Sequence, residues 1–130
     1  MEHDRSENRL ASARINPIRV PLALGSLHAG VEQGPDMLDD ELRARWQRRG
    51  DTELLARLDA SVAVPVEPLP RTDPVRHPGK AFFAHEIALA CRVLADRARD
   101  AIEQGELALT LGGDHAVAIG SVAGAAMACT

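Results

Sequence analysis

The chain has 130 residues, enough for one domain or part of one. Its net charge is −4 with the two signs interspersed, which gives no electrostatic case for nucleic acid or an anionic membrane as a partner. Apolar residues make up 45% of the chain, yet there is one Trp, two Phe and no Tyr, so the core must rest on Ala, Leu and Val.

Residues 1–14 read as a mobile polar arm without the apolar core of a signal peptide. His3 lies there and carries no signal. Residues 18–24 (Ile-Arg-Val-Pro-Leu-Ala-Leu) predict a first strand, in which Pro21 removes one ladder donor. Gly25 to Gly34 is a loop with three glycines, His28 and Glu32. Pro35 then suits the first turn of a helix, where its missing N–H costs nothing.

That helix spans about 35–49. Asp36, Asp39, Asp40 and Glu41 crowd its start, and Arg43, Arg45, Arg48 and Arg49 its end, as the helix dipole favours. The basic cluster is therefore read as a solvated helix end. Leu38, Leu42 and Trp46 predict the buried stripe, and Gly50 the stop. Residues 52–58 suggest a short helix, and Ser61 to Val66 a second strand. Glu67 to Gly79 holds four prolines and His77 and reads as a loop.

A long helix is predicted over 81–104. Its apolar face comprises Ile87, Leu89, Ala90, Val93, Leu94, Ala98, Ala101 and Ile102, and Gly105 ends it. A third strand follows at 107–111, and a last helix starts near His115. The order β-α-β-α-β-α implies an α/β fold: a three-layer parallel sheet with helices on both faces. Residues 116–130 contain no charged side chain. A terminal helix of a finished domain needs a polar face. This one expects neighbours, so the sequence reads as cut off mid-fold.

Cys91 and Cys129 form no CxxC or disulfide framework. Cys91 falls on an apolar helical face and reads as a small core residue. No apolar run approaches the roughly 20 residues needed to span a bilayer. A reducing cytoplasm is the expected location.

The chemistry concentrates at Leu111-Gly112-Gly113-Asp114-His115. A buried strand ends in two glycines, where the backbone can pass close to something bulky. Asp114 stands where an N-cap belongs, and His115 follows at the sheet's carboxyl edge, where sites lie. Residue types alone leave a metal-binding or catalytic use of His115 level with a structural one. His85-Glu86 fails as a zinc-protease motif, because position 89 is Leu and not a second histidine. It reads as a helix-surface pair. Gly112-Gly113 lacks the third glycine of a dinucleotide fingerprint and the lysine of a P-loop. A phosphate could rest on the helix N-terminus there, though nothing demands one.

Residues 111–120, Leu-Gly-Gly-Asp-His-Ala-Val-Ala-Ile-Gly, resemble the first metal-binding signature of the arginase family of ureohydrolases. Gly30-Val31-Glu32-Gln33-Gly34-Pro35 resembles the same family's glycine-rich loop after strand one, closer to arginases proper than to agmatinases. The resemblance implies an arginase-like α/β fold with a two-manganese centre at the strand carboxyl ends, and hydrolysis of L-arginine to ornithine and urea. A guanidinium stays charged and is a poor electrophile. Two metals lower the pKa of a bridging water and supply hydroxide at neutral pH. His115 would be one metal ligand, as neutral imidazole. Asp114 would orient the turn or a ligand. Gly112, Gly113, His28, Gly30 and Glu32 would line the site. A homo-oligomer is the family expectation for a full-length member.

The family's Asp-Ala-His-x-Asp and Asp-x-Asp signatures are not in these 130 residues. The expected unit is therefore residues 15–130 as the N-terminal part of a ureohydrolase domain, with no activity of its own. The alternatives are a non-catalytic subunit that docks through its apolar C-terminal helix and an agmatinase-type fragment.

Overall fold

The computed structural model describes residues 14–70 and 82–130. His3, His77, most of the N-terminal arm and part of the proline-rich loop lie outside the described residues. Strand β1 is Ile15–Val20, followed by helices α1 (Gly34–Arg49), α2 (Thr52–Ala60) and α3 (Ala84–Glu103). Strand β2 is Leu107–Gly112, and α4 is Val117–Ala128. The two strands pair in parallel, with Ile15 opposite Leu107 and Val20 opposite Gly112.

Strand β1 starts and stops earlier than residues 18–24. Pro21 has no N–H to give, and the chain turns there, with the Leu22 amide donating to Val20 O at 2.8 Å. Alternation along β1 sets the layers. Ile18 and Val20 join Ala90, Leu94 and Ala98 of α3 in the main core. Arg19 points the other way, and its guanidinium lies 3.6 Å from Asp36 of α1. The fold is thus α/β, with helices on both faces of a parallel pair.

The second strand expected at Ser61–Val66 is not a regular strand. Val64 is buried and its amide donates to Arg19 O at 2.8 Å, while Val20 O accepts from Gly113 N on the opposite edge. The return bond to Val64 O would come from residue 21, a proline without an N–H, so the ladder stops there. The segment occupies the position of a third strand beside β1 with a single ladder-type bond. Side chains hold it instead: Arg19 Nη2 donates to Ser61 O at 3.0 Å and Arg97 Nη1 to Val62 O at 2.6 Å.

Helix α1 has Pro35 in its first turn and ends at Gly50, whose φ of 72° is left-handed. Its buried stripe differs from expectation. Pro35, Asp39 and Trp46 are buried, whereas Leu38 is 46% exposed and Leu42 half-buried. The helix turns an acid inward because Arg43 meets it: Arg43 Nε donates to Asp39 Oδ1 at 3.1 Å and Nη1 bonds Asp59 on α2. That one guanidinium ties α1 to α2.

Helices α3 and α4 approach closely through small residues. Gly120 lies on Cys91 and Gly124 on Ala95 and Ala98, so closely that a Cβ at Gly124 would come within 2.5 Å of Ala95 O. The opposite side of α4 is bare, with Ile119 63% and Val122 66% exposed. Leu89 on α3, expected on the apolar face, is half exposed, whereas Cys91 is buried as expected and Ala95 is buried as well.

Candidate functional site

The site is built from two loops at the carboxyl ends of the parallel strands, the edge where α/β folds place their chemistry. One runs from Pro21 to Gly34 after β1. The other is the Gly113–Ala116 turn after β2. Gly113 N donates to Val20 O at 3.0 Å and Asp114 N to Leu22 O at 2.7 Å, so the turn continues the strand pairing past Gly112. Gly113 is needed for space. A Cβ there would stand 2.2 Å from Leu22 O. The bulky neighbour expected at these glycines is thus the chain's own backbone.

Asp114 is buried, and its carboxylate joins the loops. Oδ2 accepts from Gly25 N at 2.7 Å and Ser26 N at 3.3 Å, and Oδ1 from Ala116 N at 2.8 Å. Its expected N-cap position is shifted: α4 opens at Val117 with Ala116 as cap, and Asp114 works two residues earlier through an Asx-type turn. Three amide donors compensate a buried charge without a cation.

His115 is the next residue and is exposed on the outside of the turn. Of the loop residues, His28 and Gly30 are exposed and Glu32 is half-buried. Glu32 Oε2 accepts from Gly30 N at 2.8 Å, and Gly30 has a φ of 106°, which glycine adopts freely. Gly34 closes the loop against Gly112, where a Cβ would meet the carbonyl oxygen at 3.0 Å. The structure therefore brings the two sequence motifs together, with Gly112, Gly113 and Asp114 at the contact and His28 and His115 facing outward. A cleft of about 540 Å³ lies beside the first loop, lined by Pro21, Ala23, Ala29, Glu32, Val66 and Leu69 among others.

Cys91 lies beneath the same turn, its Sγ 3.4 Å from Ala116 O. Burial pushes its thiol pKa up, the Asp114 charge adds to that, and a hydrogen bond with the Gly120 backbone opposes it. His85 sits on the exposed surface of α3. Sequence reasoning passed over Gly25 and Ser26, the amides that receive Asp114. Their signal is the paired glycine loops, but a backbone amide leaves no side-chain trace in a sequence.

A divalent cation needs several ligands. Among the described residues no group of three or more His, Cys, Asp or Glu side chains is placed to hold one. Asp114 is engaged with amides, so the turn offers one imidazole. These residues do not form a metal site by themselves. The phosphate alternative also weakens: Asp114 takes the Ala116 amide and sets its carboxylate at the helix start.

The arginase family profile matches residues 14–130. The chain belongs to the arginase family. Among curated relatives it is similar to "Arginase, non-hepatic 1" of Xenopus laevis, 33% identical over 121 residues, which cover 86% of this chain and 29% of that protein. Human arginase-1 is 30% identical over 120 residues, covering 87% of this chain and 33% of the relative. The arginase of Bacillus caldovelox is 30% identical over 115 residues, 86% and 36%. A crystal structure of Bacillus subtilis arginase superposes with a TM-score of 0.64 at 23% identity, covering 89% of this chain and 35% of that one. The fold is arginase-like, and the chain spans about a third of the length of the arginases it matches. Among the described residues no helix is long and apolar enough to cross a membrane.

Proposed function

We propose that this chain is an N-terminal portion of an arginase-type, manganese-dependent ureohydrolase whose substrate is L-arginine. The observation that carries the reading is the His115 turn. A family-matched strand ends at Gly112, Asp114 locks the turn to the first loop, and the next residue holds an imidazole outward at the strand carboxyl edge. Imidazole suits manganese. On this reading His115 is one ligand of a centre whose other ligands these residues do not supply. His28, Gly30 and Glu32 line its approach.

The reading has two tests. A polypeptide of these 130 residues binds manganese weakly and releases no urea from arginine, by calorimetric titration and a urea assay. Tight stoichiometric binding with turnover contradicts the assignment of the remaining ligands elsewhere. Residues 14–130 exchanged into Bacillus subtilis arginase in place of the matched segment give manganese-dependent urea release that His115→Ala abolishes. A chimera as active with alanine at 115 as with histidine removes His115 from the site.

The exposed Ile119 and Val122 favour a second reading, a non-catalytic subunit that docks through α4. Size-exclusion with light scattering separates the two: one stable oligomeric mass supports docking, and progressive aggregation supports a bare domain face.

A further inference from the structure

We propose that Asp114 is a positioning residue that fixes the segment Gly25–Gly34 in register with His115. The segment is an arch with both feet on the same turn. At one foot the Gly25 and Ser26 amides donate to Asp114 Oδ2, at 2.7 and 3.3 Å. At the other, Gly34 is packed so closely that a Cβ would stand 3.0 Å from Gly112 O. Between the feet, His28, Ala29 and Gly30 are exposed. Little inside the arch holds it. Its own bonds are short-range ones: Leu27 N and Ser26 Oγ to Ala23 O, His28 N to Ser26 Oγ, Gly30 N to Glu32 Oε2, Gln33 N to Gly30 O and Gly34 N to Val31 O.

Leu27 has a φ of 58°, a left-handed conformation that is unfavourable for a leucine. Such a conformation persists only where the surroundings over-determine it. The carboxylate one residue away supplies that constraint. The other oxygen of the same carboxylate holds Ala116 N at 2.8 Å, directly after His115. One side chain therefore sets the arch and the imidazole relative to each other. In the ureohydrolase reading the arch becomes the wall that a substrate meets beside His115; that consequence rests on the proposed function, whereas the clamp does not.

The test is amide hydrogen exchange and amide proton shifts by NMR on the 130-residue chain, with no metal or substrate present. The variants are Asp114→Asn, Gly25→Ala and the two combined. Gly25→Ala attacks the clamp from the other side, since its Cβ would lie 3.0 Å from Asp114 Oδ2 and 2.9 Å from the Ala116 Cβ. Each single variant is expected to speed exchange at Gly25 and Ser26 at least tenfold and to move both amide protons upfield. It also loosens residues 28–32 on the fast timescale, while Leu94 and Ala98 in α3 keep their protection. The double variant resembles either single one, because both break one clamp.

If Asp114→Asn also unprotects α3, Gly25→Ala decides, since it leaves the carboxylate in place. Wild-type exchange and order through residues 25–32 in Gly25→Ala overturns the proposal. So do effects that simply add in the double variant. The clamp can fail here while the arginase chimera remains active, or hold while the chimera is dead, so the two readings are judged separately.

Discussion

Replacing Gly113 with alanine tests whether the turn is held by backbone contact. The added Cβ would lie 2.2 Å from Leu22 O, 3.0 Å from Leu22 N and 3.1 Å from Leu22 C. Carbon–oxygen contacts settle at about 3.3 Å or more, so the turn must withdraw by roughly 1 Å. The obstacle is backbone and cannot rotate aside. Withdrawal stretches Gly113 N–Val20 O from 3.0 Å and Asp114 N–Leu22 O from 2.7 Å beyond hydrogen-bond length. Two lost bonds cost about 2 kcal/mol together. Overpacking strain adds about 1–3 kcal/mol. The lower entropy of the unfolded alanine chain offsets about 0.4–1 kcal/mol. The net loss is about 3 kcal/mol, a large fraction of a domain's total stability of about 5–15 kcal/mol. Gly112→Ala is the control. Its Cβ would first meet the Val117 side chain, at 3.2–3.3 Å, which needs a shift of only a few tenths of an ångström. Its cost is under about 1 kcal/mol. Urea unfolding followed by far-UV circular dichroism and Trp46 fluorescence measures both. A Gly113→Ala variant within 1 kcal/mol of wild type, on the scale of one hydrogen bond, or more stable than Gly112→Ala, refutes the reasoning.

Gly124→Ala destabilises by about 1–3 kcal/mol in a thermal melt although alanine is the better helix former, because its Cβ would stand 2.5 Å from Ala95 O. Ala126→Gly, on the exposed side of the same helix, loses only about 1 kcal/mol of helix propensity. Arg43→Ala costs about 2 kcal/mol in chemical denaturation, since it leaves the buried Asp39 carboxylate unpaired. Arg45→Ala leaves the denaturation midpoint close to wild type, since its pair with Glu41 is solvent-exposed and screened, even though that contact holds the Glu41 carboxyl below its usual pKa. Iodoacetamide modifies the exposed Cys129 well before the buried Cys91 under native conditions, as peptide mass mapping would read. The Cys91 thiol stays protonated in the folded chain at a pH where the unfolded chain releases that proton. Its contribution therefore lowers stability as pH rises through about 9, and Cys91→Ala abolishes that component of the pH profile.

The helices were legible where the sequence marks their ends. Pro35 and Gly50 bracket α1 to within a residue, and Gly105, with a φ of 76°, follows α3 as expected. The inward face of α1 was not legible. The stripe at Leu38, Leu42 and Trp46 assumed that an acid faces water, and Asp39 goes inward because Arg43 reaches across to α2. A pairing between helices leaves no periodic trace. Ser61 to Val66 suggested a strand for the same local reason. Val64 is buried, but Val62 stays 69% exposed and Pro21 has no N–H to return the bond to Val64, so no ladder forms. At the site, glycine spacing pointed to both loops. The contact between them runs through backbone amides and a carboxylate some 90 residues apart in sequence, which spacing alone cannot pair.

Adjacent side chains on a tight turn face different ways, and Asp114 and His115 divide the work of the turn accordingly. Asp114 points into the protein, where three amides hold its charge and no cation is required. A carboxylate so engaged is a poor direct ligand, because binding a metal would strip it from Gly25 and Ala116. His115 faces solvent, where its imidazole can turn toward a metal without disturbing the fold. An exchange of the two residue types would unfasten the two loops. An imidazole at 114 could not accept from amides on both loops at once, and a carboxylate at 115 would leave the arch without its anchor. The Asp-His order therefore matters to this turn: the residue that holds the loops together comes first, and the residue left facing solvent comes second.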